Sequence, residues 1–355
     1  MSQPPEPTTS ADSRGRFLDV FAKRALALPP IWLMRQAGRY LPEYGELRAK
    51  AGGFLDLCYT PALAAEATLQ PIRRFGFDAA ILFSDILVVP DALGQEVRFT
   101  EGEGPILDPI STASELKRLD PGRTAATFER VFETVTRVHQ DLPKEIALIG
   151  FCGAPWTVAT YMVGGRASSD QAAARLWAYR DSEGFNQLID LLVEVSIAYL
   201  DGQVRAGADA LQIFDTWAGC LPDDQFERWV VLPTKRIVTV LKHRHPQIPI
   251  IGFPRGAGAT AAWYLQETKV EGLGCDTAMS LVRMRELAGI GAVVQGNLDP
   301  LLLAAGGAHM EARVKQLLDA MDGVPFVFNL GHGIVPETPP ENVARLVALV
   351  RGEGI

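Results

Sequence analysis

The stretch EIALIGF, from Glu145 to Phe151, is a continuous apolar run about as long as one β-strand. A turn and a helical stretch follow it. A strand that carries apolar side chains on both faces is typical of a parallel sheet covered by helices. This run therefore predicts an α/β fold with the strand at its centre.

Seven further short runs repeat this arrangement along the chain. They are PIWLM ending at Met34, AAILFS ending at Ser84, DALQIF ending at Phe214, IPIIGF ending at Phe253, VEGLG ending at Gly274, AVVQG ending at Gly296 and PFVFNLG ending at Gly331. VEGLG and AVVQG are weaker than the others. The amphipathic segments between runs are long enough for crossover helices. Eight alternating strands and helices predict a single (β/α)8 TIM-type barrel, and the alternative is a doubly wound open sheet with fewer strands.

The chain of 355 residues has a length that such barrels reach as one domain. Its beginning, MSQPPEPTTSADSRG, is polar and rich in Pro, Ser and Thr, so residues 1–14 are predicted to be a disordered tail and residues 15–355 the barrel domain. The stretch from Glu96 to Leu119 is predicted to be an insertion after the second strand. It has a β-like part, EVRFTEGEGPILDPI, and a polar helix start, STASEL.

Charge and cysteine usage exclude several classes of protein. Lys and Arg number 34 against 42 Asp and Glu, a net charge of −8, which argues against a general nucleic-acid or anionic-membrane surface. The four cysteines, Cys58, Cys152, Cys220 and Cys275, include no C-x-x-C pair and no His–Cys cluster, so they indicate a reducing cytosol and no metal site. No apolar run approaches the roughly 20 residues that span a bilayer. The expected location is cytoplasmic.

The stretch LMRQAGRYLPEY, from Leu33 to Tyr44, lies where the first predicted strand ends. Arg35 and Arg39 flank Gln36, Ala37 and Gly38. The small side chains in this stretch let backbone N–H groups approach a ligand closely. Two guanidiniums around exposed amides predict a clamp for carboxylates or phosphates. The alternative is structural, with one arginine capping a helix or pairing with Glu43 or Glu46.

Chemistry in barrels of this kind occurs at the carboxyl ends of the strands. Asp85 follows ILFS and precedes an apolar segment, where a carboxylate is costly unless donors satisfy it. His332, between two glycines after the last strand, could serve as a general acid or base, or as a group that binds an anion or donates a hydrogen bond. Each has a structural alternative: a helix N-cap or salt bridge for Asp85, and a satisfied histidine for His332. Tyr161 could equally be core packing and Thr216 a helix N-cap.

Seven segments together resemble the uroporphyrinogen decarboxylase family, over the range from Phe17 to the C-terminus. They are LMRQAGRYLPEY, ILFSDILVVPDALG, GAPWTVATYMVGG, FDTWAG, GFPRGAG, VVQGNLDP and FNLGHGI. The resemblance implies a homodimeric barrel that uses no cofactor or metal. Its substrate would be uroporphyrinogen III, which loses four acetate carboxyl groups as CO2 to give coproporphyrinogen III.

The resemblance also implies roles for individual residues. Arg35 and Arg39, with the backbone of Gln36, Ala37 and Gly38, would hold substrate carboxylates. Asp85 would lie under the macrocycle and accept from its pyrrole N–H groups. The remaining substrate-contacting positions match Tyr161, Thr216 and His332; the catalytic set is Asp85, Arg35, Tyr161 and His332.

Three positions depart from the family pattern. Gly164 stands where a glutamate is usual, Cys152 replaces another small residue, and VEGLGCDT differs from the usual strand-six sequence. Two other functions stay open on the sequence. One is a corrinoid-dependent methyltransferase of the same fold, which would need a zinc-bound thiolate set that is not evident here. The other is a non-catalytic tetrapyrrole-binding protein.

Overall fold

The computed structural model describes residues 15–100 and 104–353, so the tail predicted for residues 1–14 lies outside the described residues. Nine strands are present in these ranges. They are β1 (Ala79–Ile81), β2 (Val97–Thr100), β3 (Gly104–Leu107), β4 (Ala147–Gly153), β5 (Ala210–Asp215), β6 (Ile250–Pro254), β7 (Gly272–Gly274), β8 (Val293–Leu298) and β9 (Phe326–Leu330).

Seven of these strands form one parallel sheet in the order β1-β4-β5-β6-β7-β8-β9. Each pair of neighbours is joined by a crossover that contains one or more helices, and both faces of the strands are buried. The predicted α/β class is therefore confirmed, and the weak runs VEGLG and AVVQG do form β7 and β8.

Helices connect the strands and cover the sheet. In chain order they are α1 (Gly15–Phe21), α2 (Pro42–Lys50), α3 (Phe54–Tyr59), α4 (Pro61–Phe75), α5 (Val88–Ala92), α6 (Thr124–Asp141), α7 (Pro155–Gly164), α8 (Ala172–Arg180), α9 (Ser182–Ala206), α10 (Asp223–Phe226), α11 (Leu232–Arg244), α12 (Ala261–Thr268), α13 (Leu281–Gly289), α14 (Pro300–Ala305), α15 (Gly307–Ala320) and α16 (Pro340–Val350). A π-helical turn, Glu227–Val231, joins α10 to α11.

The first predicted strand differs from the expectation. PIWLM contributes a single bridge, from Ile31 to Phe328 on β9, so the described sheet has seven strands and not eight. On its other side Ile31 accepts a bond from the Asp78 backbone, while its own N–H donates to the Asp78 carboxylate at 2.8 Å. A side chain thus takes the place of a ladder partner, and the chain turns at Arg35 before further pairs can form.

Three polar side chains meet in the interior of the curled sheet. The indole N–H of Trp32 donates to Gln295 on β8 at 2.9 Å, and the Gln295 amide donates to Gln212 on β5 at 3.1 Å. All three residues are buried. These bonds connect the PIWLM segment with strands on distant parts of the sheet, which fixes how the strands curl around the interior.

The predicted insertion is confirmed as an antiparallel hairpin of β2 and β3 followed by a 3₁₀ helix, Ala113–Arg118. Thr112 and Glu115 form a capping box at the start of that helix, as the motif STASEL indicates. Leu107 and Ile110 donate backbone bonds to Gly165 and Met162 at the end of α7. The insertion is thereby held against the helix that carries Tyr161.

Helix packing depends on a glycine at the contact between α6 and α9. A Cβ on Gly202 would lie 2.0 Å from the ring of Phe132, whereas a Cβ on the exposed Gly45 of helix α2 would meet no atom of the described residues within 4 Å. We expect Gly202→Ala to lower the free energy of unfolding by about 1–2 kcal/mol, the overpacking cost less the helix-propensity gain. Gly45→Ala should raise it slightly. Denaturant melts of both variants test this, and equal stabilisation by both would contradict it.

Candidate active site at the strand ends

The strands of the sheet end at one edge, because their registers pair Gly153 with Phe214, Asp215 with Pro254, and Leu298 with Leu330. The residues that follow these strands are therefore neighbours in space although they are far apart in sequence. The candidate site residues lie in these connections.

The turn that carries Arg35 is held from two sides. The Met34 N–H donates to the Asn329 side chain at 3.0 Å, and the Met34 carbonyl accepts from Ile334 N–H at 2.9 Å. Arg35 itself has a φ of 61°, in the left-handed region that non-glycine residues rarely adopt. These bonds to the last strand and its exit maintain a conformation that the isolated segment would disfavour.

Gln36 supports this turn from inside the protein. It is fully buried, its side-chain oxygen accepts from Leu33 N–H at 3.1 Å, and its amide donates to the Ala79 carbonyl at 3.1 Å. Its backbone N–H donates to Leu33, and its carbonyl accepts from the Tyr40 hydroxyl. Gln36 therefore positions its neighbours, while its predicted contact with a substrate stays a prediction.

The following residues leave their donors available. Within the described ranges, the N–H groups of Ala37, Gly38 and Arg39 donate to no protein acceptor, and neither Arg35 nor Arg39 belongs to an ion pair. Both arginine side chains are exposed. Glu43, considered above as a partner, binds Arg74 instead, at 3.0 Å. The arrangement can receive an anion.

Asp85 lies four residues after β1. One carboxylate oxygen accepts from Leu87 N–H at 2.8 Å, an Asx turn that leads into α5, and among the described residues the other oxygen accepts from none. Burial raises the pKa of Asp85 to about 6, although Leu87 N–H and the Arg35 guanidinium oppose this. Asp85 thus caps the turn with one carboxylate oxygen, and its second oxygen remains able to accept a hydrogen bond from a ligand.

Tyr161, on α7, is within electrostatic reach of both Asp85 and Arg35. Burial raises the pKa of the Tyr161 hydroxyl; Trp217 and Arg35 lower it, and Asp85 raises it. The Trp217 indole N–H is near this hydroxyl, but it is buried and forms no hydrogen bond within the described ranges. Thr216 directly precedes Trp217 and is partly buried. It does not cap a helix, because the next helical turn starts at Ala218 after Trp217 as cap.

A buried carboxyl that sequence reasoning did not single out lies beneath this loop. Asp215 ends β5, and its side chain accepts from the Thr157 hydroxyl at 2.5 Å. Thr157 in turn accepts from Trp217 N–H at 3.1 Å. Burial raises the pKa of Asp215 to about 7, and its second oxygen has no partner among the described residues. The pair fixes the backbone that carries Thr216 and Trp217.

His332 completes the group at the end of β9. Burial, Arg35 and Arg255 lower its pKa to about 4, against the opposing effect of Asp276. The imidazole is therefore neutral near pH 7 and has one donor and one acceptor nitrogen. Arg255, exposed at the end of β6, forms no ion pair within the described ranges. Its nearness to His332 was not evident from the sequence.

The structure thus brings Arg35, Asp85, Tyr161 and His332 together, since Arg35 lowers the pKa of each of the other three and Asp85 raises that of Tyr161. Among the described residues Arg39 has no pKa effect on Asp85, Tyr161 or His332, so its role in binding a substrate stays a prediction. Arg39 lowers the pKa of Tyr44, which burial raises to about 12. The same site is formed by segments from the beginning, middle and end of the chain.

The three departures from the family pattern are accommodated without loss of these residues. Burial raises the pKa of Cys152 and of Cys275 to about 12, so both thiols are inert. A Cβ on Gly164 would meet nothing within 4 Å, so a larger residue would fit there. The third departure, VEGLGCDT, contains β7 and the residues that follow it. There Asp276 accepts from Gly256 N–H at 2.5 Å and from Ala278 N–H at 2.8 Å, which holds this segment in place.

In the ranges 15–100 and 104–353, no three His, Cys, Asp or Glu side chains lie close enough together to hold a metal ion. No helix in those ranges has both the length and the apolar character needed to cross a bilayer.

Solved structures of other proteins share the fold. A methyltransferase from Methanosarcina mazei superposes with a TM-score of 0.78 at 22% identity, and covers 95% of this chain and 97% of its own. A B12-independent methionine synthase from Shewanella superposes with a TM-score of 0.57 at 12% identity, over 92% of this chain and 95% of its own. At such low identities these likenesses concern the fold alone.

Sequence comparison is more specific. The uroporphyrinogen decarboxylase (URO-D) family model matches residues 12–352. A uroporphyrinogen decarboxylase from Rhodospirillum rubrum is 54% identical over 335 residues, which is 94% of this chain and 96% of that relative. One from Mesorhizobium japonicum is 55% identical over 334 residues, 94% of this chain and 97% of that relative. The chain therefore belongs to the uroporphyrinogen decarboxylase family.

Proposed function

We propose that this protein removes the four acetate carboxyl groups of uroporphyrinogen III as CO2 and releases coproporphyrinogen III. One observation carries the proposal beyond the family membership. Asp85 has an oxygen with no donor among the described residues, and it lies within electrostatic reach of Arg35 and Tyr161, at the strand ends. A ligand with several N–H donors and an anionic rim complements this arrangement.

The substrate carries eight carboxylates, and a protein of net charge −8 needs local cations to receive them. Arg35 and Arg39 supply two, with the open N–H groups of Ala37 and Gly38 between them. Arg255, beside His332, adds a third guanidinium that forms no ion pair within the described ranges. Bidentate guanidinium contacts to carboxylates would fix the rim of the macrocycle.

The reaction needs a place for the electrons of the breaking C–C bond. Protonation of the pyrrole α-carbon gives a ring cation, CO2 leaves as the bonding pair moves into that cation, and the exocyclic methylene is then protonated while the ring loses its added proton. Each acetate thus consumes one proton and yields a methyl group and CO2. The pyrrole itself serves as the electron acceptor, so the proposed chemistry requires no cofactor.

Asp85 would stabilise the ring cation. A carboxylate about 5 Å from a unit positive charge contributes roughly 3 kcal/mol at an effective dielectric near 20. Its oxygens would also accept from the pyrrole N–H groups and centre the macrocycle. Only the reduced porphyrinogen can tilt all four N–H groups to one side, whereas a planar porphyrin has two inner N–H groups.

The remaining residues would orient the reacting acetate. Neutral His332 can donate one hydrogen bond to a carboxylate, and the hydroxyls of Tyr161 and Thr216 can do the same. Because the pKa of His332 is about 4, it would not be the acid that protonates the ring near neutral pH. We propose that Arg35 positions the proton delivery at the acetate, together with ordered water.

The decisive experiment incubates the purified protein with uroporphyrinogen III under anaerobic conditions and separates products by carboxylate number. We expect intermediates with seven, six and five carboxylates and then the four-carboxylate product, with matching release of CO2. Binding without CO2 release would indicate a non-catalytic tetrapyrrole carrier. Stoichiometric zinc in the purified protein, with methyl transfer to a thiol, would favour the methyltransferase alternative.

The rate should depend on pH through Asp85. Its pKa is raised to about 6, so the ionised form required here is complete above pH 7 and is lost as the pH falls through 6. We expect kcat/KM to fall about tenfold between pH 7 and pH 5. His332, with a pKa of about 4, does not account for this loss.

Asp215 titrates in the same range, since its pKa is about 7, and serves as the control. Asp215→Asn should keep the acidic decline of kcat/KM, because Asp85 remains. If that variant alone abolished the decline, Asp215 and not Asp85 would be the controlling group.

Three broader features belong to the proposal. The PIWLM segment bonds to β9 on one side and to Asp78 on the other, which supports a closed eight-stranded barrel that forms residues 15–355 as one domain. We also propose a homodimer, acting in the cytoplasm. Analytical ultracentrifugation and cell fractionation test these two statements.

A further inference from the structure

We infer that Gly333 is a positioning residue for Arg35: the absence of a side chain at 333 leaves the space in which the stem of Arg35 lies. The inference rests on the proposed function, because it assigns Gly333 to the residue that would hold the substrate carboxylates. It concerns a position that contacts Arg35 and to which no role in the reaction has been given above.

The space at Gly333 is occupied by one side chain. A Cβ built on Gly333 would lie 2.4 Å from Cδ, 2.7 Å from Cγ and 2.9 Å from Nε of Arg35, and real Cβ atoms essentially never come closer than 3.0 Å to other atoms. All three nearest atoms thus belong to Arg35. Gly333 does not have a positive φ, so its backbone conformation is open to any residue. The requirement for glycine is one of space.

Arg35 would be the group that moves if a side chain were added. The backbone around Gly333 is fixed, because Gly331 N–H donates to Leu298 at 2.8 Å and Ile334 N–H donates to Met34 at 2.9 Å. The Arg35 guanidinium, by contrast, has no hydrogen bond or ion pair among the described residues and is exposed. A methyl group at 333 would therefore displace the arginine stem and leave the strand ends in place.

Gly331 must be a glycine for a different reason, which is close contact with the backbone of another segment. A Cβ there would lie 2.3 Å from the backbone nitrogen of Thr277, so a substitution would push two backbone segments apart. We expect Gly331→Ala to reduce stability. The two glycines on either side of His332 thus have different tasks, one for the fold and one for the arginine.

A displaced guanidinium has measurable consequences at its neighbours. Arg35 lowers the pKa of Asp85 and of His332, so its removal from the site should raise both. The acidic decline of the rate should then shift to higher pH. A glycine that served the fold alone would change stability and leave this pH profile where it is.

The experiment compares Gly333→Ala with Gly164→Ala, in the complete protein. Gly164 lies near the site at the end of α7, but a Cβ there meets nothing within 4 Å. We expect Gly333→Ala to lower kcat/KM for uroporphyrinogen III about tenfold, as a misplaced binding group would, and to move the acidic decline upward. Gly164→Ala should match the wild type in rate, and both variants should keep the wild-type melting temperature within about 2 °C.

A double-mutant cycle with Arg35→Ala identifies the pathway of the effect. If Gly333 acts through Arg35, adding Gly333→Ala to Arg35→Ala should cause no further loss. Multiplied losses in the double variant, a wild-type rate and profile for Gly333→Ala, or a large loss of its thermal stability would each overturn the inference. An inactive wild type would instead contradict the proposed function.

Discussion

Replacement of Asp85 by asparagine is expected to lower kcat for the decarboxylation of uroporphyrinogen III about 100-fold. The amide keeps the shape of the side chain, and its oxygen can still accept the bond that Leu87 N–H makes at 2.8 Å. The variant loses the negative charge, and with it roughly 3 kcal/mol of stabilisation of a ring cation about 5 Å away. Single-turnover rates under anaerobic conditions measure the effect.

Asp91→Asn is the matched control. Asp91 is also a partly buried carboxyl with a raised pKa, but its oxygen accepts from the Tyr59 hydroxyl at 2.7 Å instead of facing Arg35. We expect this variant to decarboxylate at nearly the wild-type rate. A wild-type rate for Asp85→Asn would refute the cation-stabilising role, and equal losses in both variants would point to a general structural effect.

Replacement of Arg35 by lysine is expected to lower kcat/KM at least about 30-fold, which corresponds to about 2 kcal/mol for disrupting a charged contact that bound substrate would cover. Lysine keeps the charge but presents it as a point, so it cannot form the two parallel bonds that a guanidinium makes with a carboxylate. Isothermal titration with coproporphyrinogen III would separate the loss of binding from the loss of rate.

Arg74→Lys tests whether any arginine in this part of the chain is equally sensitive. Arg74 binds Glu43 at 3.0 Å on the surface, an exposed ion pair of the kind that contributes at most about 1 kcal/mol. Its replacement should leave substrate affinity and rate unchanged. An Arg35→Lys variant that binds and reacts like the wild type would mean that Arg35 supports the fold and not the substrate.

Much of the fold could be predicted from the sequence, because buried parallel strands leave a short-range pattern. The runs that became β4, β5, β6 and β9 are apolar on both faces, and even the weaker VEGLG formed β7. The segment PIWLM has the same pattern but forms one bridge. Its fate depends on the Asp78 carboxylate, which is 47 residues away along the chain, and no local pattern records such a contact.

The sequence predicted those site residues whose place depends only on their position at the end of a predicted strand. Arg35, Asp85 and His332 follow apolar runs, and parallel strands bring such residues to one edge of the sheet. Two other features depend on distances between segments that are remote in sequence. They are the space that Gly333 leaves for Arg35 and the position of Arg255 beside His332. Those relations follow from packing and not from spacing.

The bonds on Met34 have a consequence for how the protein is made. Met34 is held by Asn329 and Ile334, and Asn329 follows Met34 by 295 positions along the chain. During synthesis the segment that carries Arg35 leaves the ribosome early, but the partners that fix it follow almost at the end of translation. Such long-range closure is slow and comes late. We therefore expect that a nascent chain does not bind an anionic ligand at Arg35 until FNLGHGI has emerged. The site would become active only when elongation is nearly finished.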